Sequence, residues 1–331
     1  MLDEPFYLGA GSQGLFVTTS IGIAFGGATE GQSESVLRNA DLAMYKAKSK
    51  GKSHYEVFES GMDSRALERL EMENGLRQAL QREEFRVYYQ PSVSLSDGGI
   101  VGMEALLRWD RPERGIVPPA EFIPLAEETG LIVPIGQWVL REACCQTREW
   151  QERFPGAPSP TVSVNLSAKQ FRQPGLAGDV AQILRETGLG AHSLILEITE
   201  SVMMDDAQST VATLRSLKLL GVRIAVDDFG TGYSSLSYLK RFPVDFLKID
   251  RSFVDGLGHD TEDQGLVAAT IGLAHTLGLE TVAEGVETEG QLAYLRKLDC
   301  GLAQGHYFQR PAPAGEISEV LQARLSACPD R

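Results

Sequence analysis

The sequence predicts an α/β protein whose larger part is a (β/α)8 barrel, similar to a TIM barrel, preceded by a partial α/β segment. Two observations support the barrel. Strand-like runs alternate with helical patterns, which is typical of a parallel sheet covered by helices. Five successive strand-like runs also end in polar side chains, at intervals of roughly 20 to 40 residues, each long enough for one crossover helix.

The polar residues at the ends of these runs favour a barrel over an open doubly wound sheet. An open sheet normally places its site at one switch point. A barrel instead collects side chains from the carboxyl ends of many strands at one face. The runs and the polar residues that follow them are Thr161–Val164 before Asn165, Leu194–Leu196 before Glu197, Val222–Val226 before Asp227 and Asp228, Phe246–Leu247 before Lys248 and Asp250, and Thr281–Ala283 before Glu284.

A hairpin at the beginning of the barrel and helices between its strands complete the predicted domain. Phe85–Tyr89 and Ile100–Leu107 are strand-like, and the intervening Ser96-Asp97-Gly98-Gly99 has the composition of a turn. Apolar residues recur with helical spacing in the gaps between the later strands. The predicted helices are Ile132–Phe154, Gly175–Thr187, Ala207–Leu220, Gln264–Leu277 and Glu289–Leu298.

Residues 1–62 form a short segment ahead of the barrel. Leu15–Phe25 predicts a strand or a hairpin, Ser33–Lys50 a helix, and Tyr55–Phe58 a short strand. About 60 residues can hardly build a complete α/β domain with this content, so the segment is expected to be the end of something larger. Asp63–Glu83 predicts a helix that links it to the barrel, so the expected divisions are 1–62, 63–84 and 85–331.

Two adjacent carboxylates, Asp227 and Asp228, directly follow the strand-like run Val222–Val226. Side chains alternate in direction along a strand, so both acids can face one point only if the backbone turns there. Two converging carboxylates are costly without a cation. The glycines in the loop that follows, Gly230 and Gly232, give it freedom to move.

The composition restricts the possible partners and the cellular compartment. The 331 residues carry a formal net charge of −14, which argues against a protein that coats a nucleic acid polymer by neutralising phosphates. Bound metal ions can invert the local field, so a small anionic substrate remains compatible with this charge. The four cysteines lack zinc-ligand spacing and fit a reducing cytoplasm. We find no signal peptide and no apolar run of about 18 residues, so this segment is not expected to enter a membrane.

The side chains expected at the carboxyl face of the barrel are mostly hard oxygen donors. Cysteine and histidine are missing from the strand ends, which favours Mg²⁺ or Mn²⁺ over zinc. Two divalent cations bridged by one carboxylate would neutralise the acids and suit in-line attack of an activated water on a phosphodiester. The set comprises Glu104, Asn165, Glu197, Asp227, Asp228, Lys248, Glu284 and Glu287.

Several motifs, in order over residues 65–320, resemble those of EAL domains, which are cyclic-di-GMP phosphodiesterases. The resemblance implies a barrel whose first strand runs antiparallel to the others, and hydrolysis of cyclic di-GMP to linear pGpG. Ile198 stands where leucine is usual. The matching motifs are Glu104-Ala105-Leu106 with Arg108, Asn165-Leu166-Ser167, Glu197-Ile198-Thr199-Glu200, Asp227-Asp228-Phe229-Gly230-Thr231-Gly232, Lys248-Ile249-Asp250, Glu284-Gly285-Val286-Glu287 and Gln304-Gly305.

The same resemblance implies a role for each residue of the set. Asp227 is expected to bridge the two metals, and Lys248 to orient or polarise the attacking water. The metal ligands would be Glu104, Asn165, Glu197, Asp227, Asp228 and Glu284. Catalytic support would come from Lys248, Glu284, Glu200 and Glu287, and substrate contacts from Arg108, Gln90, Gln304 and Asp250.

The N-terminal segment resembles the C-terminal end of a GGDEF, or diguanylate cyclase, domain. The matching residues are Ser20-Ile21-Gly22-Ile23-Ala24, Ala40-Asp41-Leu42-Ala43-Met44-Tyr45-Lys46-Ala47-Lys48 and Gly51-Lys52. The signature that names that family is absent, because Ala28-Thr29-Glu30 follows Gly26-Gly27. Cyclase activity is therefore not expected from this chain, which could be the cytoplasmic part of a longer, membrane-anchored sensor.

Two functional alternatives and one assembly are compatible with these patterns. The chain could bind cyclic di-GMP without cleaving it, although the acids are all present, or it could be a scaffold that binds no nucleotide. By family resemblance, the loop after Asp228 contributes to a homodimer. Glu200 is expected to anchor that loop, or alternatively to cap the helix that follows it.

Overall fold

The computed structural model describes residues 19–26, 33–49, 54–59, 63–112, 114–155, 159–204, 207–231 and 239–327. The chain divides into two compact units, Met1–Gln78 and Ala79–Arg331. The boundary falls at the last residue of the observed helix Asp63–Ala79, which ends four residues before the predicted end at Glu83 and lies almost wholly in the N-terminal unit. Among the described residues, no helix combines the length and the apolar character needed to cross a membrane.

The smaller unit is a two-stranded parallel sheet with helices. Its elements are β1 (Ile21–Ile23), α1 (Ser33–Ser49), β2 (Tyr55–Val57) and α2 (Asp63–Ala79). Helix α1 buries Leu42, Ala43 and Ala47. Gly22 permits close contact between strand and helix, because an added Cβ would lie 1.9 Å from the Ala40 carbonyl oxygen. The predicted helices and the second strand are present, whereas only Ile21–Ile23 of the predicted run Leu15–Phe25 forms a strand; residues 15–18 and 50 lie outside the described part.

The larger unit contains a closed barrel of eight strands. Each strand pairs with its neighbours, and β3 closes the circle between β4 and β11. β3 runs antiparallel to both, and the other seven strands are parallel to one another. The predicted barrel and its single antiparallel strand are therefore confirmed. The barrel strands are β3 (Phe85–Ser94), β4 (Ile100–Arg111), β6 (Thr161–Asn165), β7 (Leu194–Thr199), β8 (Arg223–Phe229), β9 (Phe246–Ile249), β10 (Glu280–Ala283) and β11 (Leu302–Ala303).

Two short strands extend the barrel sheet beyond the closed circle. β5 (Gly115–Val117) pairs with the end of β4, and β12 (Ala312–Pro313) pairs with β3 near Tyr88. Neither strand was predicted, because two or three residues are too few to show the alternation of apolar and polar side chains that is typical of a strand. Strand β3 also continues through Pro91 to Ser94, past its predicted end at Tyr89, because β4 pairs with it over nearly its whole length.

Helices surround the barrel. The five predicted helices are present within three residues of their predicted ends, and Asp260 begins one of them earlier by accepting hydrogen bonds from the Glu262 and Asp263 amides. Five other described helices were not predicted: Pro119–Thr129, Ala168–Phe171, Glu200–Met204, Arg251–Asp255 and Ala314–Ala327. In the part of the chain that the structure describes, the α-helices of the larger unit are α3 (Pro119–Thr129), α4 (Ile132–Arg153), α5 (Ala168–Phe171), α6 (Leu176–Thr187), α7 (Glu200–Met204), α8 (Ala207–Leu219), α9 (Arg251–Asp255), α10 (Thr261–Leu277), α11 (Glu289–Lys297) and α12 (Ala314–Ala327).

The outer face of the β3–β4 hairpin is held by aromatic packing. Phe85 on β3 and Trp109 on β4 are both buried, and each ring lies against Phe122 of α3. The indole nitrogen of Trp109 donates a hydrogen bond of 3.0 Å to Glu84, so burying its polar atom leaves no donor unsatisfied. Because side chains alternate along a strand, the residues next to Phe85 and Trp109, and every second residue from them, face the inside of the barrel.

Gly305 lies where two segments at the mouth touch through their backbones. The Val286 amide donates to the Gln304 carbonyl at 3.0 Å, and a Cβ on Gly305 would stand 2.2 Å from the Val286 oxygen. We expect Gly305→Ala to destabilise the fold by about 1–3 kcal/mol, because backbone atoms must move apart. Urea unfolding monitored by circular dichroism measures this loss.

Gly272→Ala is the matched control, since that position lies inside α10 with open space around it. It should stabilise the protein by about 0.5–1 kcal/mol, because alanine loses less backbone entropy than glycine on folding. A Gly305→Ala protein as stable as the native chain would contradict the packing argument.

Candidate active site

Four carboxylates converge on one ammonium group at the mouth of the barrel. Lys248, on β9, is 2% exposed, and each of its partners comes from a different strand or strand end. Because the closed sheet sets the order of the strands, it also sets which acids meet. The distances from Lys248 Nζ are 2.7 Å to Glu197, 3.1 Å to Asp227, 2.5 Å to Glu284 and 3.9 Å to Glu104.

The electrostatics of this cluster are dominated by burial and by an excess of negative charge. Burial raises the pKa of Glu284 to about 8, and neighbouring carboxylates add repulsion that Lys248 only partly offsets. Burial likewise raises the pKa of Glu197 well above its ordinary value. Burial alone would lower the pKa of Lys248, but the surrounding acids outweigh it and hold that pKa well above normal. The ammonium is therefore charged, and it cannot neutralise all four acids.

Amide side chains bind the carboxylate oxygens around the cluster. Gln304 donates to Glu104 at 2.6 Å and to Glu284 at 3.2 Å, and Asn165 donates to the other oxygen of Glu104 at 2.8 Å. Ser92 in turn donates to the Gln304 side-chain oxygen at 3.1 Å, which fixes the orientation of that amide. Ser92 was not among the predicted residues, although it lies two positions after Gln90 and therefore on the same face of β3.

The backbone turns at Asp228, as the adjacent acids required. Asp228 has a φ of 53°, and the pairing of β8 with β9 shifts register between Val226 and Phe229. The Asp228 amide donates to the Asp227 carboxylate at 3.1 Å. Burial, followed by repulsion from Asp227 and Asp250, raises the pKa of Asp228 to about 6. The irregular strand end thus directs both carboxylates toward the mouth.

Glu200 is buried and binds the start of the loop that follows β8. Its carboxylate accepts a hydrogen bond of 3.1 Å from the Gly230 amide, and the Thr231 hydroxyl donates to the Asp228 carbonyl at 2.8 Å. Residues 232–238 of the loop lie outside the described part of the chain. Glu200 therefore contacts the first residues of this loop directly.

Three predicted residues lie apart from the lysine cluster. Glu287 is exposed and pairs with Arg251 at 2.8 Å and with His306 at 3.6 Å. Asp250 caps α9 by accepting from the Ser252 amide. Gln90 donates to the Gln309 carbonyl at 3.1 Å. The structure therefore gives Glu287 a different partner from the expected lysine network, and Arg251 was missed because its sequence position shows no link to Glu287.

Arg108 stands further along β4 than Glu104. Its guanidinium lies over the Tyr88 ring, 5.5 Å from the centroid, and one of its terminal nitrogens donates to the Leu107 carbonyl at 2.9 Å. The predicted residues thus form a deep cluster around Lys248 and a shallower set near the rim.

The donor set fits hard divalent cations, because oxygen atoms predominate and the buried acids outnumber the ammonium. In the part of the chain that the structure describes, no three histidine, cysteine or acidic side chains are arranged around a common cation position. The reason is geometric: the acids around β9 point at Lys248. Small rotations of these carboxylates would be needed to hold a cation.

Comparison with known proteins places these residues in a family. Residues 73–311 match the EAL domain. The bifunctional diguanylate cyclase/cyclic di-GMP phosphodiesterase MucR of Pseudomonas aeruginosa is 47% identical over 301 residues, covering 91% of this chain and 44% of MucR. The cyclic di-GMP phosphodiesterase NbdA of the same organism is 40% identical over 329 residues, covering 99% of this chain and 42% of NbdA. The chain thus spans less than half of either relative.

A solved structure of the MucR phosphodiesterase in complex with c-di-GMP superposes with a TM-score of 0.72. It is 48% identical, and the match covers 75% of this chain and 99% of that one. The EAL enzyme Bd1971, bound to cAMP and cyclic-di-GMP, gives a TM-score of 0.75 at 35% identity, covering 79% of this chain and 71% of that one. The barrel described above is therefore the fold of these enzymes.

The raised pKa of Asp228 predicts a stability effect. Between about pH 4 and pH 6, the folded state holds a proton on Asp228 that the unfolded state has released. The contribution of Asp228 to the free energy of unfolding therefore falls as the pH rises through this range. In the presence of a chelator, Asp228→Asn should stabilise the protein near neutral pH by about 1 kcal/mol, a figure discounted for partial exposure. Asparagine tolerates the left-handed backbone at this position.

Urea unfolding with excess chelator measures the effect, and the gain should shrink toward about pH 4.5, where the native carboxyl is already protonated. Asp179→Asn is the control: Asp179 lies on α6 and accepts a hydrogen bond from Gln137, away from the acids. A gain that does not vary with pH would show that charge at Asp228 is not its cause.

Proposed function

The chain belongs to the EAL domain family, and we propose that it hydrolyses cyclic di-GMP to the linear dinucleotide pGpG. The observation that carries this proposal is the buried cluster of Glu104, Glu197, Asp227 and Glu284 around Lys248, at the face where barrel enzymes have their active sites. The names of MucR and NbdA, and the cyclic dinucleotide complexes of MucR and Bd1971, support the same substrate.

We propose that two divalent cations, Mg²⁺ or Mn²⁺, bind among the acids. One would be held by Glu104, Asn165, Glu197 and Asp227. The other would be held by Asp228, with Glu284 nearby, and Asp227 would bridge the two. Bound cations supply positive charge for the phosphodiester and activate water for in-line attack. The excess of buried carboxylates over ammonium groups supports this assignment.

The remaining predicted residues would act on the attacking water, on the substrate and on the side chains around them. Lys248, held by its contacts with Glu197 and Glu284, would orient or polarise the attacking water. Gln304 would hold Glu104 and Glu284 in place through its amide. Arg108, Gln90 and Asp250 would contact the substrate, and Glu287 would support the rim through Arg251.

We also propose that the loop after Asp228 links activity to a homodimer. Its tether is the hydrogen bond between Glu200 and Gly230. A loop that contacts both the metal ligands and a second subunit would couple association to cation binding. We propose in addition that residues 1–62 are the end of a GGDEF domain without cyclase activity, joined through α2, and that the chain functions in the cytoplasm. The free thiols of Cys144, Cys145 and Cys300 support a reducing compartment.

The test of the main proposal is incubation of the chain with cyclic di-GMP and Mg²⁺ or Mn²⁺, followed by chromatography. We expect pGpG to accumulate, and excess EDTA to abolish the reaction reversibly. Ca²⁺ should substitute poorly, because its longer bonds and looser geometry misplace the water. Undiminished hydrolysis in EDTA would refute the cation assignment. Tight binding without cleavage would identify a receptor, and neither binding nor cleavage a scaffold.

Lys248→Ala separates chemistry from binding. It removes a cation that orients water but no proposed metal ligand, so turnover should fall at least about 100-fold. Affinity for cyclic di-GMP, measured by calorimetry, should change far less. Lys218→Ala is the control, because Lys218 pairs with Asp245 outside the cluster. Normal turnover at saturation with a lost affinity would mean that Lys248 binds substrate instead.

A further inference from the structure

The barrel interior below the lysine cluster is packed with apolar side chains on one side and lined by small residues on the other. The packed side comes from β7 to β11, where the inward residues form an apolar group of Ile195, Ala225, Phe246, Val282 and Leu302. A barrel core is normally filled by layers of bulky side chains contributed by all of its strands. This barrel departs from that rule on its β3, β4 and β6 side.

Small and hydroxyl-bearing residues occupy the inward positions of those three strands. Strand register sets Ser92 beside Gly102, and Gly102 beside Thr161, two residues below the level of Glu104. Ser163 is the next inward residue of β6. Gly102 leaves room for its neighbour, because an added Cβ would lie 2.4 Å from the Thr161 hydroxyl oxygen. Space therefore remains beside the apolar group.

A cavity of about 230 Å³ occupies this space and extends along the axis of the barrel. Its upper end borders Glu197, Lys248 and Gln304 of the cluster. Its lower end lies between Arg223 and Glu280, the first residues of β8 and β10, and thus at the end of the barrel opposite the mouth. Glu280 is exposed and Arg223 is half-buried, so solvent reaches this lower end.

Ser163 shows that the wall of the cavity is polar and accessible to water. Its neighbours Val162 and Val164 face the helices and are at most 1% exposed, whereas Ser163 is half-buried although it faces the inside. Its hydroxyl makes no hydrogen bond to another described residue, and it borders the cavity. An internal water needs about 30 Å³ and two to four polar partners. The cavity has room for several waters, and its hydroxyl groups supply partners along one wall.

We propose that this cavity is a water passage that supplies the inner side of the lysine cluster from the amino-terminal end of the barrel. The inference rests on the proposed function, since the water would be used to hydrolyse a phosphodiester bound at the mouth. Hydrolysis consumes one water. Its oxygen bonds to phosphorus, the bond from phosphorus to the released oxygen breaks, one proton goes to that oxygen and the other goes to bulk water. In-line attack places the water opposite the released oxygen.

The position of the passage explains why a route through the barrel is useful. A nucleotide bound at the mouth covers the cluster from above, so water on its inner side exchanges with solvent through the cavity below. Ser163 acts in this arrangement as a lining residue. It touches neither the substrate nor the reacting atoms, which makes it suitable for a test of the passage.

Two substitutions of Ser163 separate a blocked passage from a lost hydroxyl. Ser163→Leu places an apolar side chain in the cavity, whereas Ser163→Ala removes the hydroxyl and leaves the passage open. Oxygen-17 magnetic relaxation dispersion, with excess chelator and no nucleotide, counts the long-lived internal waters. We expect Ser163→Leu to lose at least about two of them and Ser163→Ala to keep nearly all. Ser163→Val, with a smaller side chain, takes the place of the leucine variant if that protein does not fold.

Turnover then tests the supply of water. Ser163→Leu should lower kcat for cyclic di-GMP about fivefold or more, while KM changes less than about twofold, because substrate binding is unaltered. Ser163→Ala should keep kcat within about twofold of the native value. Calorimetry with Mn²⁺ serves as the control for the cluster itself, since an unchanged affinity shows that the acids have not moved.

Three results would overturn the proposal: an unchanged number of internal waters in Ser163→Leu, a normal kcat despite lost waters, or a loss of Mn²⁺ affinity that parallels the loss of kcat. If the native chain binds cyclic di-GMP but cleaves nothing, the hydrolytic function fails, while the water count still decides whether the passage exists.

Discussion

The contact of the Lys248 ammonium with four carboxylates is the interaction on which the geometry of the mouth depends. Gathered inside a barrel, these acids would repel one another and lose hydration, and removing one partner from a buried ion pair costs on the order of several kcal/mol. Lys248 reaches all four from a single strand, while Gln304 and Asn165 donate to the oxygens beside it. The acids can therefore stand close together although they come from different strands.

The β3–β4 hairpin connects this cluster to the packing of the outer layer. Phe85 and Trp109 are cross-strand partners on one face, and Gln90 and Glu104 are partners on the other. A slip of one residue would exchange the two faces, because side chains alternate along a strand. Burial of the aromatic rings against Phe122 thus fixes which side of β4 carries Glu104. Aromatic packing outside the barrel sets the position of an acid inside it.

The parts that sequence reasoning could predict are those that depend on local pattern. Strand-like runs that end in polar residues predicted the barrel. The adjacent acids Asp227 and Asp228 predicted a turn of the backbone, which is seen in the positive φ of Asp228. Contacts between distant segments could not be predicted in this way. Arg251 reaches Glu287 from another loop, and β3 continues past Pro91 because β4 pairs with it. The distances around Lys248 also depend on the register of the whole sheet, which no single segment encodes.

The mouth carries opposite charges at two depths. Around Lys248 four acids surround one ammonium group, whereas Arg108 carries a positive charge near the rim, four residues further along β4 than Glu104. In the proposed function, an anionic ligand would be attracted to the rim first, and its inner phosphate would enter once bound cations reverse the charge below. Cation and nucleotide would then raise each other's affinity, since binding linkage is reciprocal. Glu104 and Arg108 share the inward face of β4, so the alternation of one strand places both charges in the path of the same ligand.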